Sequence, residues 1–167
     1  MYFEAPWDKS LKTITTAVTA FLIVEVIGIS IALYLTTTGR MAFLVTVLVV
    51  VCNTLIIGFT SLYAPQGYLV DDSGITIIRK RAPVHIGFGS IRHISRIERN
   101  RFMKSLRTFG NGGLFGYYGS FRNKELGNFR MYATHGDCGV LIQTDKTFVI
   151  TPDRADEFIE VVRSYLP

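Results

Sequence analysis

The hydrophobic positions divide the chain into two unlike parts. Up to Tyr63 they form two continuous apolar runs, TITTAVTAFLIVEVIGISIALYL and MAFLVTVLVVVCNTLIIGFTSLY, which only TTTGR separates. About 20 apolar residues, each rising about 1.5 Å, are enough to cross a hydrocarbon core about 30 Å thick. The pattern therefore predicts two transmembrane helices, over residues 13–35 and 41–63, joined by a short extracytoplasmic turn at residues 36–40.

The basic residues around these runs predict their orientation. A cleaved signal peptide is the alternative for the first run, but that run is longer than a typical signal core, has no convincing A-x-A site and precedes a second span. Only Arg40 is basic between the runs, whereas Lys9 and Lys12 precede the first and RKR follows the second. Cytoplasmic loops carry the excess of Lys and Arg, so we expect an N-terminal tail, residues 1–12, and a domain, residues 64–167, both in the cytoplasm.

After the second run the pattern changes to short alternating segments, which are typical of β-strands. GITIIRKRAPVHIGF predicts a hairpin that turns in RKRAP. SIRHISRIER places isoleucines at Ile91, Ile94 and Ile97, a period of three that we interpret as a bulged strand. GVLIQTDKTFVIT predicts two strands joined by a two-residue turn at Asp145 and Lys146.

The end of the chain has helical periodicity instead. Thr151 is a candidate N-cap and Pro152 a candidate first helical residue, followed by acidic residues in the early turns. This predicts a C-terminal helix over about 152–166. Its apolar positions fall on one stripe that must dock on the strands, and they are Ala155, Phe158, Ile159, Val162 and Leu166.

These patterns predict the fold class: a membrane α-helical hairpin followed by a mainly-β barrel or sandwich that the C-terminal helix caps. The segments GYYGSF, LGNFRMYAT and FVITPDRADEFIEVVR resemble a bacterial pleckstrin-homology (PH) domain of the kind found behind paired transmembrane helices. The resemblance covers nearly all of residues 66–167. It implies a PH-like binding or scaffolding module.

The glycine-rich stretch FGNGGLFGYYGSF allows two interpretations. A phosphate-binding loop should follow a strand, open a helix and continue into Gly-Lys-Ser/Thr or a regular dinucleotide fingerprint, and this stretch does not. We therefore expect structural glycines, with Gly112 and Gly113 in a turn and with Gly116 and Gly119 in a bent strand that passes close to neighbouring backbone or rings.

Two polar residues interrupt the apolar runs. Glu25 lies near the middle of the first and Asn53 at a similar depth in the second. Ionisable groups are costly at this depth, so we predict that a protonated Glu25 hydrogen-bonds Asn53, either within the hairpin or across an oligomer interface. Packing, and not ion translocation, is the favoured role, because one acid makes no proton relay.

The excess positive charge lies in the predicted domain. Residues 64–167 hold 15 Lys and Arg against 10 Asp and Glu, whereas the rest of the chain is balanced. Basic groups near an anionic leaflet gain about 1 kcal/mol each, although charges scattered over a solvated surface would give the same count. The first hairpin loop, DDSG, is acidic, which argues against phosphoinositide recognition there. The candidate lipid contacts are Arg79, Lys80, Arg81, Lys104 and Arg107.

Other chemistry is weakly supported. His135 and Cys138 have the spacing H-x2-C, but two ligands do not close a metal site. No nucleophile, metalloprotease or kinase motif occurs, so we expect no catalytic residues and no cofactor. The basic segments could suit nucleic acid, but a double membrane anchor makes that the poorer interpretation. Aromatic residues of the tail, Tyr2, Phe3 and Trp7, suit a membrane interface.

The sequence thus predicts an integral protein of the bacterial inner membrane whose PH-like domain is tethered to the cytoplasmic leaflet. One functional hypothesis is contact with anionic lipid headgroups through the basic loops. The alternative is protein assembly, with a protein partner or a second copy, through exposed aromatic residues or a free strand edge. An enzyme with scattered catalytic residues is a distant third hypothesis.

Overall fold

The computed structural model describes residues 1–36 and 39–166. Within these ranges the chain forms two long helices, then two β-sheets, and ends in a shorter helix. The predicted turn at residues 36–40 falls partly on Thr37 and Thr38, which lie outside the described residues.

The two N-terminal helices are α1 (Lys9–Thr36) and α2 (Arg40–Tyr63), of 28 and 24 residues. By length and composition both are apolar enough to cross a membrane. They contact each other, and large apolar side chains remain exposed along both, as expected for surfaces that face lipid. α1 begins four residues before the predicted span at 13–35, and the difference matters for how the helix joins the domain.

The described residues form two sheets. Their strands are β1 (Tyr2–Glu4), β2 (Pro65–Asp71), β3 (Gly74–Arg79), β4 (Val84–Gly87), β5 (His93–Glu98), β6 (Leu106–Gly112), β7 (Tyr117–Asn123), β8 (Gly127–Ala133), β9 (Cys138–Gln143) and β10 (Thr147–Ile150). The first sheet has four strands in the order β1-β2-β3-β4, and the second has six in the order β5-β9-β10-β8-β7-β6. Neighbouring strands are antiparallel except β8 and β10, which are parallel.

Two short helical turns interrupt the strands, a 3-10 turn (Phe88–Ser90) and α3 (Arg99–Phe102), and α4 (Ala155–Ser164) ends the fold. The predicted fold class is confirmed: a pair of membrane-length helices precedes a mainly-β, sandwich-like region that carries a C-terminal helix.

A hydrophobic core fills the space between the two sheets and α4. Four of the five apolar residues predicted for the helical stripe are buried in it, and Leu166 packs at its margin. Tyr68 crosses this core with its ring fully buried. Its hydroxyl donates to the Tyr132 carbonyl oxygen at 2.7 Å and accepts from the Thr151 amide at 3.2 Å. Burial raises the pKa of Tyr68 to about 12, so its phenol stays protonated at neutral pH.

A second core lies on the opposite face of the six-stranded sheet, because the strands in its middle are buried on both sides. Residues that alternate with those of the first core point into it, among them Phe129, Met131 and Val149. Two fully buried side chains from outside the sheet cover this face: Leu11 of α1 and Phe102 of α3. The first helix therefore contributes to the core of the domain as well as to its anchor.

Burial on both faces explains the period of three in SIRHISRIER. β5 pairs with β9 in continuous register from His93 to Glu98, so the predicted bulge is wrong. Ile94 points into the first core and Ile97 into the second, which satisfies both isoleucines without an irregular strand. Ile91 lies before the strand.

One predicted turn and the start of the C-terminal helix also differ. β9 and β10 are joined by three residues, not two, because Gln143 pairs with Thr147 and the Thr144 amide donates to the Lys146 carbonyl at 2.8 Å. The C-terminal helix begins later than predicted, at Ala155.

The delayed start of α4 has a local cause. Thr151 does not cap the helix, because its buried hydroxyl accepts a hydrogen bond from the Thr134 amide at 3.0 Å and ties the residue to the sheet. Arg154 immediately precedes the helix with a non-helical φ of −121°. α4 thus begins three residues after the start, and ends two residues before the end, of the predicted range of about 152–166.

The N-terminal tail forms part of the domain. Its strand β1 pairs antiparallel with β2, with Phe3 opposite Tyr68. Phe3 is fully buried and its ring meets Phe158 of α4 edge-on at 5.0 Å. Its predicted place at a membrane interface is wrong, whereas Tyr2 and Trp7 remain exposed.

Candidate functional site

The domain meets the two long helices at their ends, and α1 is joined to it first through Asp8. The carboxylate of Asp8 accepts the Leu11 amide at 2.6 Å, the geometry of an N-cap. Its other oxygen accepts the Gly136 amide, between β8 and β9, at 3.2 Å. One side chain thus caps the helix and fixes the start of that helix to the sheet.

The glycine-rich segment holds α1 one turn farther along. The buried Thr15 hydroxyl donates to the Gly113 carbonyl at 3.3 Å and accepts from the Phe115 amide at 3.1 Å. Phe115 has a φ of 63°, which is rare for a bulky residue. Its ring also meets Trp7 edge-on at 6.0 Å. The glycine-rich segment therefore binds the first helix through both hydrogen bonds of the Thr15 hydroxyl.

The predicted structural glycines lie in or beside this segment. Gly112 ends β6, and the Gly113 amide donates to the Gly116 carbonyl at 3.1 Å across the turn. Gly119 faces Gly110 across β6 and β7, where a Cβ on Gly119 would lie 2.3 Å from the Phe109 carbonyl oxygen. Only glycine permits this approach.

α2 is joined to the domain by a different contact. The Tyr118 hydroxyl donates to the Thr60 carbonyl oxygen at 2.7 Å and accepts from the Asn111 side-chain amide at 3.1 Å. Burial raises the pKa of Tyr118, which keeps the phenol protonated and able to donate. The backbone amide of Arg81 also donates to the Leu62 carbonyl at 3.0 Å. The RKR segment is thereby held against the end of α2.

A cavity of about 600 Å³ opens beside this second junction. It lies between the end of α2 and strands β3, β6, β7 and β8. Five of its twelve lining residues are aromatic, and its charged members are two arginines with no carboxylate in the lining. The side chains used below are Phe59, Tyr63, Arg79, Phe109, Arg130 and Tyr132.

Arg79 is the better fixed of the two arginines. Its guanidinium lies 5.8 Å from the centre of the Tyr63 ring and 5.3 Å from that of Tyr132, within range of cation–π attraction. It donates to the Ala82 carbonyl oxygen. Among the described residues neither Arg79 nor Arg130 belongs to an ion pair. The cavity therefore has an uncompensated positive charge.

The other predicted lipid contacts are not gathered at this cavity. Lys80 and Arg81 are exposed close by, after β3, and Lys80 lines a separate depression with Trp7. Arg107 is exposed on β6, and Lys104 lines a depression with Glu98 and Asp137. The structure thus brings three of the five, those of the RKR segment, to the end of α2.

Sequence reasoning missed Arg130. The signal was present in NFRMYA, because alternation in a strand puts Arg130 and Tyr132 on one face and Phe129 and Met131 on the other. Once the second pair is assigned to a core, the first pair must face the opposite side. Nothing in the sequence shows that α2 ends there.

The polar pair within the helices is not joined in the single chain. Asn53 is half-buried and its Nδ2 atom has no hydrogen-bond partner among the described residues, so it does not donate to Glu25. The alternative that Glu25 and Asn53 pair across an oligomer interface stays a prediction.

Two further groups offer no site. In the described part of the chain no three His, Cys, Asp or Glu side chains are placed to hold a metal ion. His135 is buried with Nδ1 unpartnered, and Cys138 is half-buried. The cysteines are both free thiols.

The geometry defines a class of protein: a sandwich-like β domain, capped by a C-terminal helix, that is held against the ends of two membrane-length helices. A family model described as "Bacterial PH domain" matches residues 66–166, and the chain belongs to that family. No curated protein and no solved structure matches the chain significantly. The resemblance inferred from the sequence is confirmed.

Proposed function

We propose that this protein is integral to the bacterial cytoplasmic membrane and that its PH domain contacts the anionic headgroups of the cytoplasmic leaflet. The observation that carries the proposal is the position of the RKR segment, Arg79–Arg81, which is hydrogen-bonded to the end of α2. Where that helix leaves the hydrocarbon, these cations are at headgroup depth. The domain is a binding module and has no catalytic role.

The orientation rests on two independent features. Strand β1 pairs with β2, so the N-terminal residues and the domain lie on one side of the membrane. Arg40 alone is basic between the spans, and the positive-inside rule then puts the domain in the cytoplasm. Both termini are cytoplasmic in this arrangement.

The contacts of the domain with both helices make this surface a fixed one. A domain on a flexible linker would sample many orientations, whereas Asp8, Thr15 and Tyr118 each bind it to a helix end. The cations then need no ordering on contact, and weak electrostatic gains of about 1 kcal/mol per residue add at one surface.

Hydrogen exchange of the full chain in lipid nanodiscs tests the proposal. We expect amides of residues 79–82 to be more protected in phosphatidylglycerol than in phosphatidylcholine, and the difference to shrink at high salt because exposed charges are screened. The variant Lys80→Gln/Arg81→Gln should lose the difference. Lys124→Gln is the control. Tyr118 lies near the start of β7, whereas Lys124 comes directly after the end of that strand, away from α2. Equal protection in both lipids would contradict the proposal.

A second candidate function is assembly through β6. This strand is an edge of the six-stranded sheet, and its Leu106 and Phe109 are 71% and 80% exposed. Open edges of this kind can pair with a second copy or with another protein. Sedimentation velocity of the full chain in detergent, with Phe109→Ser as the variant, tests it: a dimer that the substitution dissociates supports assembly, and a monomer at all concentrations excludes self-assembly.

A further inference from the structure

We infer that the cavity beside the end of α2 is a stoichiometric site for the phosphate group of one anionic glycerophospholipid. This inference rests on the proposed function and deepens it, because it assigns a defined ligand to residues of the leaflet-facing surface. The acidic loop between β2 and β3 and the exposed lysines do not belong to the site.

The position of the cavity selects a lipid. Its walls include Phe59 and Tyr63 from the last turns of α2 and Arg79 at the end of β3. A molecule in it lies against the side of a helix that continues into the hydrocarbon. A lipid can occupy such a place with its headgroup in the cavity while its acyl chains remain in the bilayer.

The charge of the cavity selects an anion. Arg79 and Arg130 line it, no acidic side chain does, and neither arginine is in an ion pair within the described residues. A guanidinium has five N–H donors in a planar fork, and Arg79 gives one to Ala82. Guanidinium groups bind phosphate bidentately. The Nη1 donors and the second Nη2 donor of Arg79 therefore remain for a phosphate, whereas its Nε–H is buried without a partner among the described residues.

The arrangement of Arg79 is suited to holding a ligand in one place. Its position between Tyr63 and Tyr132 restricts the side chain before any ligand arrives, so less conformational entropy is lost on binding. The exposed Phe109 ring adds an apolar surface to the lining of the cavity. A phosphate at the arginines and glycerol or acyl carbons against Phe59 and Phe109 would match both parts of the lining.

The cavity has the size of a ligand site. Its volume of about 600 Å³ lies within the range of about 300–1,000 Å³ that is usual for bound small molecules. It can enclose a phosphoglycerol headgroup but not a whole phospholipid. Because the cavity lies against the last turns of α2, we assign phosphatidylglycerol, and not a free phosphorylated metabolite, as the chemical class to test first.

Native mass spectrometry of the full chain tests the assignment. The protein is released from nanodiscs of equal phosphatidylglycerol and phosphatidylcholine, and the lipids retained on each chain are counted. We expect one phosphatidylglycerol per chain, and about tenfold or more weaker retention in Arg79→Gln and in Arg130→Gln, because each removes charged hydrogen bonds to phosphate. Arg92→Gln is the matched control, since Arg92 is exposed and does not line the cavity.

Two measurements keep the outcomes separate. Arg79→Gln also removes the cation–π contacts with Tyr63 and Tyr132. The exposed Arg130 therefore supplies a second variant, and thermal unfolding checks that each variant folds. Equal retention of phosphatidylglycerol by both variants and the wild type overturns the site. Displacement of the lipid by millimolar inorganic phosphate, or retention of phosphatidylcholine equally well, overturns the choice of an anionic lipid. Protection of the amides of residues 79–82 in nanodiscs can persist in every case, so failure here leaves the proposed function standing.

Discussion

The two long helices are joined to the domain in opposite ways. At α1 the junction is closed: Asp8 caps the helix, Leu11 is 0% exposed in the second core and the hydroxyl of Thr15 is bound on both sides. At α2 the junction is open: the Tyr118 hydroxyl and the Arg81 amide donate to carbonyls at the end of the helix, beside a cavity lined by two arginines that form no ion pair among the described residues. The junction at α1 is part of the core of the domain, whereas the junction at α2 borders a cavity that is large enough for a ligand.

This difference changes what counts as the domain. The family match covers residues 66–166, but the fold is completed by β1 and by the first turns of α1. Phe3 and Leu11 are both fully buried among residues of the matched region. The closed junction therefore predicts that the matched region does not suffice for stability.

The largest expected effect is the loss of folding when residues 1–63 are removed. A fragment of residues 64–167 would expose both cores, because truncating a buried Phe or Leu alone costs about 2–5 kcal/mol and whole domains are stable by about 5–15 kcal/mol. We expect no cooperative thermal transition by circular dichroism. The control joins residues 1–16 to 64–167 through a long Gly/Ser linker, which restores β1, Leu11 and Thr15. Identical melting of the two fragments would show that the α1 junction is not part of the domain core.

The next effect compares equal apolar truncations at the two junctions. Leu11→Ala should lower the unfolding free energy by about 2–5 kcal/mol, because it leaves a cavity in a packed core. Phe59→Ala at the other junction should change it less, since Phe59 is 56% exposed and lines an existing opening. Thermal unfolding of both full-length variants in one detergent measures the difference. Similar shifts, or a larger one for Phe59→Ala, would remove the distinction between closed and open junctions.

The closed junction was largely hidden in the sequence, although the elements on either side were not. The local pattern predicted three elements: the apolar runs of membrane length, the alternating strands of GITIIRKRAPVHIGF and the apolar stripe of α4. In each of them the apolar residues follow one regular spacing along the chain. Leu11 and Phe3 lie outside any long periodic segment. Their burial depends on contacts with residues more than fifty positions away, which no local rule reaches.

The glycine-rich segment was also predicted only in part. Conformational requirements are local, so the structural role of Gly119 could be expected from the sequence alone. Its use could not, because Thr15 and the segment at Gly113 and Phe115 are brought together only by the fold. For the candidate site the limit was similar: Arg79 was selected by charge, whereas Arg130 required the assignment of strand faces and the position of α2.

The smallest effect isolates the hydrogen bonds that the glycine-rich segment makes to α1. Thr15→Val keeps the shape of the side chain but leaves the Gly113 carbonyl and the Phe115 amide without their partner, at a cost of about 1–3 kcal/mol. Trp7 is the single tryptophan of the sequence and its ring lies 6.0 Å from that of Phe115, so its fluorescence reports on this junction directly. We expect a lower unfolding temperature together with a changed Trp7 emission.

The neighbouring Thr16 provides the matched control for that measurement. It is exposed on the same turn of α1, and Thr16→Val removes the same hydroxyl without affecting the domain. If the two variants behave alike, the effect belongs to the helix and the glycine-rich segment is only a turn. If Thr15→Val alone alters Trp7 while the retention of phosphatidylglycerol is unchanged, the two junctions act independently, because the α1 contacts can loosen without disturbing the cavity at α2.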